Sequence, residues 1–218
     1  MVIDRSSLVF DGPTRASSIL VLAHGAGAPM DSPFMETVAR GVAATGIRVA
    51  RFEFSYMAAR RRGERRPPDR EPELRSCWED VVGLLRGDAE ALFIGGKSMG
   101  GRIASMVADA LGVTGLVCLG YPFHPPGKPE QTRTAHLAEL ATPALFVQGT
   151  RDTLGSREDV AGYALSPHIE IRWLEDGDHS FKPRKSSGRT EQQSMDEAIE
   201  AIVAFIEAAR RPTRVSRN

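Results

Sequence analysis

Leu92-Phe93-Ile94-Gly95-Gly96-Lys97-Ser98-Met99-Gly100-Gly101 reads as a buried strand, then a sharp turn bearing one serine, then the start of a helix. Gly96-Lys97-Ser98-Met99-Gly100 fits G-x-S-x-G, a turn that pushes a serine hydroxyl out at the end of a strand. A serine there sits in a strained backbone conformation, at a cost of about 1–3 kcal/mol. Side chains two residues to either side would collide, so the turn needs Gly96 and Gly100.

Outward from this turn, short apolar runs alternate with helical patterns. Strands are predicted at 7–10, 18–23, 48–54, 91–94, 115–119, 144–148 and 169–174, and helices at 33–44, 73–85, 99–110, 157–164 and 191–209. Ile103, Met106, Val107 and Ala110 form one apolar stripe, as do Met195, Ala198, Ile199, Ile202, Phe205 and Ile206. This alternation predicts an α/β fold with a mostly parallel sheet of seven to eight strands and helices on both faces.

At 218 residues the chain is expected to form one domain over 1–218, with a frayed basic tail at 210–218. Hydrophobic residues are 41% and charged residues 26%, ordinary for a globular protein. The formal net charge is zero, so bulk charge points to no nucleic-acid or membrane partner. No apolar run reaches the ~18 residues of a membrane span, and Met1-Val2-Ile3-Asp4-Arg5 lacks a signal pattern. Cys77 and Cys118 show no metal-ligand spacing; their predicted free thiols suit a reducing, cytoplasmic setting.

Two stretches resist the alternation. Residues 60–75 carry seven arginines, four acidic residues and Pro67-Pro68: a solvated loop, or a rim that attracts anionic substrates. Residues 121–133 hold four prolines and follow a strand end, where α/β folds place ligand sites. They read as a pocket wall in preference to a plain loop. Tyr121, Phe123 and His124 are thus candidate substrate contacts, with His24 beside them on an earlier loop.

A serine hydroxyl needs a base within hydrogen-bond reach, and the base needs a group that fixes its tautomer. Among five histidines, His179 follows the last predicted strand in Gly177-Asp178-His179-Ser180-Phe181, which returns it to the sheet end bearing Ser98. His168 precedes that strand and should lie at the opposite end, while His124 and His136 sit on the wall segment. Asp152 follows the run Ala144-Leu145-Phe146-Val147-Gln148 and is the candidate orienting acid. Asp159 falls inside a helix pattern, and Asp176 and Asp178 are too near His179 along the chain.

A developing oxyanion needs two donors. The first is assigned to the Met99 N–H, at a helix start whose dipole helps. The second should come from His24-Gly25-Ala26-Gly27-Ala28, where small residues let backbone approach substrate. Ala26 N–H is preferred, with Gly25 as the fallback. His24 is expected to brace this loop, not to titrate in catalysis.

The order serine, acid, histidine and the segments 24–35 (HGAGAPMDSPFM), 95–102 (GGKSMGGR), 120–128 (GYPFHPPGK), 148–152 (QGTRD) and 177–183 (GDHSFKP) resemble the α/β-hydrolase superfamily. More narrowly, they resemble small bacterial hydrolases akin to the hydrolase-like domain of eukaryotic chromatin-complex (NSL) subunits and testis-expressed proteins. The resemblance implies an eight-stranded, mostly parallel sheet and the triad above. Dienelactone hydrolases are more distant relatives with a cysteine nucleophile; Ser98 stands in that place here, so their particular reaction is not carried over.

These readings predict a serine hydrolase acting on small esters or thioesters, without metal or organic cofactor, as a monomer or homodimer. Little chain is left for a cap, which predicts an open cleft suited to short acyl groups. A catalytically idle scaffold on the same fold, and a peptidase or amidase with the same triad, are the alternatives.

Overall fold

The computed structural model describes residues 3–210. Seven strands form one sheet: β1 Val9–Asp11, β2 Ser18–Ala23, β3 Arg48–Phe52, β4 Ala91–Lys97, β5 Gly115–Leu119, β6 Ala144–Gly149 and β7 Ile169–Leu174. Their spatial order is β1-β3-β2-β4-β5-β6-β7, parallel throughout except for β1, which runs antiparallel to β3. Six α-helices accompany them: α1 Pro33–Ala43, α2 Ser55–Arg61, α3 Glu71–Leu85, α4 Met99–Leu111, α5 Arg157–Val160 and α6 Glu191–Ala209.

Every residue of β2, β5 and β6 is buried, which is why these strands read as unbroken apolar runs. The two-residue period of the strand divides them between two cores. Ile19, Val21, Ile94, Cys118 and Phe146 pack beneath α3 and α4 with Leu74, Trp78 and Ile103. Leu20, Leu22, Phe93, Val117 and Val147 pack on the other face against α1 and α6, meeting Val38 and Ile202.

The chain passes from β2 to β3 on one side and then to β4 on the other. The connections therefore part at the carboxyl ends of β2 and β4, and such a switch point leaves a crevice. The loop after β2 carries residues 24–32, and Ser98 follows β4.

Several boundaries differ from the sequence reading. β4 continues through Gly95 and Gly96 to Lys97. The first strand starts at Val9, because Asp4 caps a short helical turn at Arg5–Ser7. Helix α2, which no sequence pattern announced, runs into the arginine-rich stretch at Arg60 and Arg61; its buried face is only Tyr56, Met57 and Ala59, too short for a periodic signal. Helix α5 stops at Val160: Ser156 and Asp159 form a capping box, but Gly162 follows within a turn. Of the tail expected to fray, 211–218 lie outside the described residues, and Arg210 donates to Ser17 Oγ at 2.7 Å. Among the described residues no helix is long and apolar enough to cross a membrane.

Candidate active site

The turn between β4 and α4 has the strain that its motif demands. Ser98 adopts φ 52°, ψ −114°, one of three non-glycine residues with positive φ among those described. Its N–H donates to Leu119 O on β5 at 2.9 Å, while its own carbonyl accepts from Arg102 N in α4 at 3.0 Å. The flanking glycines are required by the neighbouring strand. A Cβ at Gly96 would lie 2.1 Å from Ala23 O, and one at Gly100 would lie 2.4 Å from the same oxygen.

His179 lies in the loop after β7. Its Nε2 is 3.0 Å from Ser98 Oγ, and its Nδ1 is 2.8 Å from Asp152 Oδ2. Asp152 is fully buried, so its carboxylate must be satisfied by protein donors. Oδ1 accepts from Leu154 N at 2.8 Å, and Oδ2 accepts from Gln148 Nε2 at 2.9 Å as well as facing the imidazole. Gln148 is buried too; its Oε1 accepts from Tyr121 N at 2.7 Å. The histidine loop is stiffened by Asp178, whose Oδ1 accepts from Ser180 N and Lys182 N at 2.8 and 3.0 Å.

The loop after β2 is held from its buried side. His24 Nε2 accepts from Phe54 N at 3.2 Å, which leaves the proton on Nδ1 to be donated to Gly25 O at 2.6 Å. Burial pushes the His24 imidazole below its ordinary value and keeps it neutral. The Tyr56 hydroxyl, whose ionisation burial disfavours, lies 3.3 Å from Gly25 O and 3.1 Å from Ala26 O. In a trans peptide the next N–H points opposite to the carbonyl. The N–H groups of Ala26 and Gly27 are thereby turned away from Tyr56. Further along, Met30 N donates to Glu53 Oε1 at 3.3 Å and Met30 O accepts from Arg51 at 2.7 Å. Arg61 bridges Glu53 and Asp31, each at 2.7 Å.

A cleft of about 350 Å³ joins these parts. Gly25, Ala26, Phe34, Met35, Lys97, Ser98 and His179 are among its walls. Ser98 and His179 are partly exposed there. Hollows of about 440 Å³ beside Phe205 and about 640 Å³ beside Arg15 lie elsewhere and hold none of the candidate residues. Among the described residues no cluster of three or more His, Cys, Asp or Glu has metal-binding geometry.

Residues 16–207 match the family described as alpha/beta hydrolase domain. The chain belongs to that alpha/beta hydrolase family. Its fold is similar to that of a serine hydrolase from Xanthomonas campestris described as being without a lid. That likeness has a TM-score of 0.70 at 17% identity, covering 91% of this chain and 88% of the other. It is similar also to Est1E of Butyrivibrio proteoclasticus (TM-score 0.68, 12% identity, 92% and 94% covered). A dienelactone hydrolase of Anabaena variabilis gives 0.69, 18%, 92% and 90%.

In this alpha/beta hydrolase the structure brings Ser98, His179, Asp152, Met99, Gly25 and Ala26 to one sheet end, but four expected substrate contacts lie outside the cleft. Tyr121 and Phe123 are fully buried. Their rings pack against Phe146 with centroids 4.9 and 6.0 Å away, and the Tyr121 hydroxyl donates to Arg133 O at 3.0 Å. His124 is buried beside Asp159, its Nε2 3.7 Å from Oδ2. His24 is the buried brace just described. The reason is topological. Residues 121–124 bond to Gln148 and Leu154, so they cover β6, whereas the cleft opens on the opposite side, toward α1.

The residues 60–75 do not line the cleft either; Arg61 braces the loop above it through Glu53 and Asp31. Sequence reasoning passed over Gln148, Tyr56, Phe34 and Lys97. Gln148 carried a signal, being polar at the end of an otherwise apolar strand. Tyr56 carried none.

Proposed function

We propose that the chain is a serine hydrolase that cleaves carboxylic esters or thioesters of small acyl groups through an acyl-enzyme on Ser98. The observation that carries this reading is the unbroken line Ser98 Oγ–His179–Asp152, at 3.0 and 2.8 Å.

In this mechanism His179 Nε2 takes the Ser98 proton as Oγ attacks the carbonyl carbon. Asp152 stabilises the imidazolium and holds its Nδ1–H. The first amides of a helix have no intrahelical acceptor, so Met99 N–H is free for the oxyanion. Ala26 N–H, turned from its buried clamp, is the second donor, with Gly25 as the fallback. Loss of one such donor costs roughly 3–4 kcal/mol of barrier. The imidazolium then gives its proton to the departing alkoxide or thiolate. Water, deprotonated by His179, attacks the acyl-enzyme and releases the acid and Ser98. Phe34 offers the acyl group an apolar surface, and the size of the cleft favours a short one.

The test needs no known substrate. The wild type and Ser98→Ala are treated with a fluorophosphonate probe and weighed intact. One adduct on the wild type, absent from Ser98→Ala, is expected. A folded wild type that gains no adduct would overturn the reading and favour the scaffold alternative.

A further inference from the structure

Lys97 occupies an unusual place for a lysine. It ends β4, directly before Ser98, yet its ammonium turns back against the protein although the residue lines the cleft. It donates to the backbone carbonyl of His179, at the far side of the candidate dyad. The rings of Phe34 and Phe181 flank it, with centroids 5.3 and 5.9 Å from Nζ. Phe34 comes from α1, whereas Phe181 belongs to the histidine loop itself.

Independent support comes from β5. Gly120, just past its end, faces the same contact. A Cβ there would lie 2.6 Å from Lys97 Nζ and 2.8 Å from His179 O. The strand ends thus leave a slot sized for an ammonium–carbonyl bond. Nothing in the proposed chemistry requires a cation at this point, and a methionine would fill the space between the two rings equally well. The contact does tie the loop bearing the base to the strand bearing the nucleophile.

From this geometry we infer that Lys97 is a positioning residue. It fixes the His179 main chain so that the imidazole stays over Ser98 Oγ while still facing Asp152. The inference rests on the hydrolase reading above. Misplacing a reacting group by about 1 Å can cost roughly 100-fold in rate, so one back-side hydrogen bond suffices to matter. The groups facing the ammonium are Asp152, Asp178 and the two rings, with burial opposing its charge.

Lys97→Met keeps the stem packed between the rings and removes the donor. Its labelling rate with the fluorophosphonate, and its kcat on p-nitrophenyl acetate, should fall about 10–100-fold while KM changes less than about threefold. The downfield proton resonance of His179 Nδ1–H against Asp152 should broaden or vanish, a change that lost packing at a distance would not cause. If Lys97→Met does not fold, Lys97→Ala carries the same comparison. Labelling at the wild-type rate with an unchanged resonance would overturn the positioning role alone. A wild type that never labels at Ser98 would overturn the hydrolase reading and this inference together.

Discussion

Gln148 donates from Nε2 to Oδ2 of Asp152 at 2.9 Å, the same oxygen that faces His179 Nδ1 at 2.8 Å. The glutamine is locked in turn by Tyr121 N and O, at 2.7 and 3.2 Å, and by Gly155 O at 3.1 Å. A buried amide with all its partners met thus orients a buried carboxylate. Gln148→Leu leaves Asp152 Oδ2 with the imidazole alone. Unsatisfied buried groups typically cost about 1–3 kcal/mol, so the urea midpoint should fall accordingly and kcat should fall with it. An unchanged midpoint and kcat would show that the amide is dispensable.

Asp152→Asn tests the acid itself. An amide there favours the wrong imidazole tautomer, and a comparable change in a serine protease triad lowers kcat about 10⁴-fold. Folding should survive, because the substitution is isosteric and Leu154 N keeps its acceptor. Steady-state hydrolysis alongside circular dichroism separates the two effects. Full activity would remove Asp152 from the mechanism.

Tyr56→Phe removes the hydroxyl shared by the Gly25 and Ala26 carbonyls. The fold should tolerate the change, since the ring stays buried in the core. The peptide bearing the Ala26 N–H loses half of its clamp, and His24 Nδ1 alone remains. A fall of about tenfold in kcat with KM held is expected, a partial loss compared with deleting an oxyanion donor outright. A change confined to KM would show that the loop positions ground-state substrate.

Stability should decline on the acid side. Burial depresses the His24 imidazole and, with Arg102 and Arg75 nearby, that of His136, relative to the ordinary value of 6.5. Above that value the groups are neutral in both folded and unfolded chains and contribute no pH dependence. Below it the unfolded chain binds protons that the folded chain refuses, so unfolding is favoured as pH falls. Thermal melts between pH 7 and 5 should show the slope, and His24→Asn should flatten it. A melting temperature constant across that range would argue that neither ring is held neutral.

Lys97 sets a trend on the alkaline side. Burial holds its amine down to about 8, against an ordinary 10.5, while Asp152 and Asp178 oppose the shift. Below pH 8 both states carry the charge and the folded one bears the full burial cost. Between 8 and 10.5 the unfolded chain holds the extra proton, so this group's contribution to stability rises with pH. Lys97→Met should therefore melt higher than the wild type at pH 7, with the gap narrowing toward pH 10. A gap independent of pH would place the lysine charge in solvent.

The fold was legible because parallel strands buried on both faces read as apolar runs, and because amphipathic helices separate them. Ser98, Asp152 and His179 could be named together because each follows a strand and only one sheet end can collect them. The location of the cleft was less legible. Tyr121 and Phe123 follow a strand end just as lining residues do, and an aromatic side chain looks the same in sequence whether it caps a core or meets a ligand. The bond from Tyr121 N to Gln148 turns that segment toward β6, and no local pattern encodes it. Helix α2 escaped notice because its seven residues bury only Tyr56, Met57 and Ala59, fewer than a periodic apolar stripe needs. The extension of β4 escaped because Gly95 and Gly96 have poor strand propensity.

Those same glycines limit how this site can diverge. A Cβ at Gly95 would fall 1.9 Å from Val117 O, and one at Gly101 would fall 2.6 Å from Gly96 O. With Gly96 and Gly100 already pressed on β2, the sheet end beneath the nucleophile has no single-step path to another residue. Elsewhere in the cleft Ser32 and Pro33, at the start of α1, are under no such backbone constraint, so in the proposed hydrolase they are free to change with the substrate. In the proposed reaction the backbone beneath Ser98 is thus frozen by contact with its neighbouring strands, while the start of α1 is free to vary.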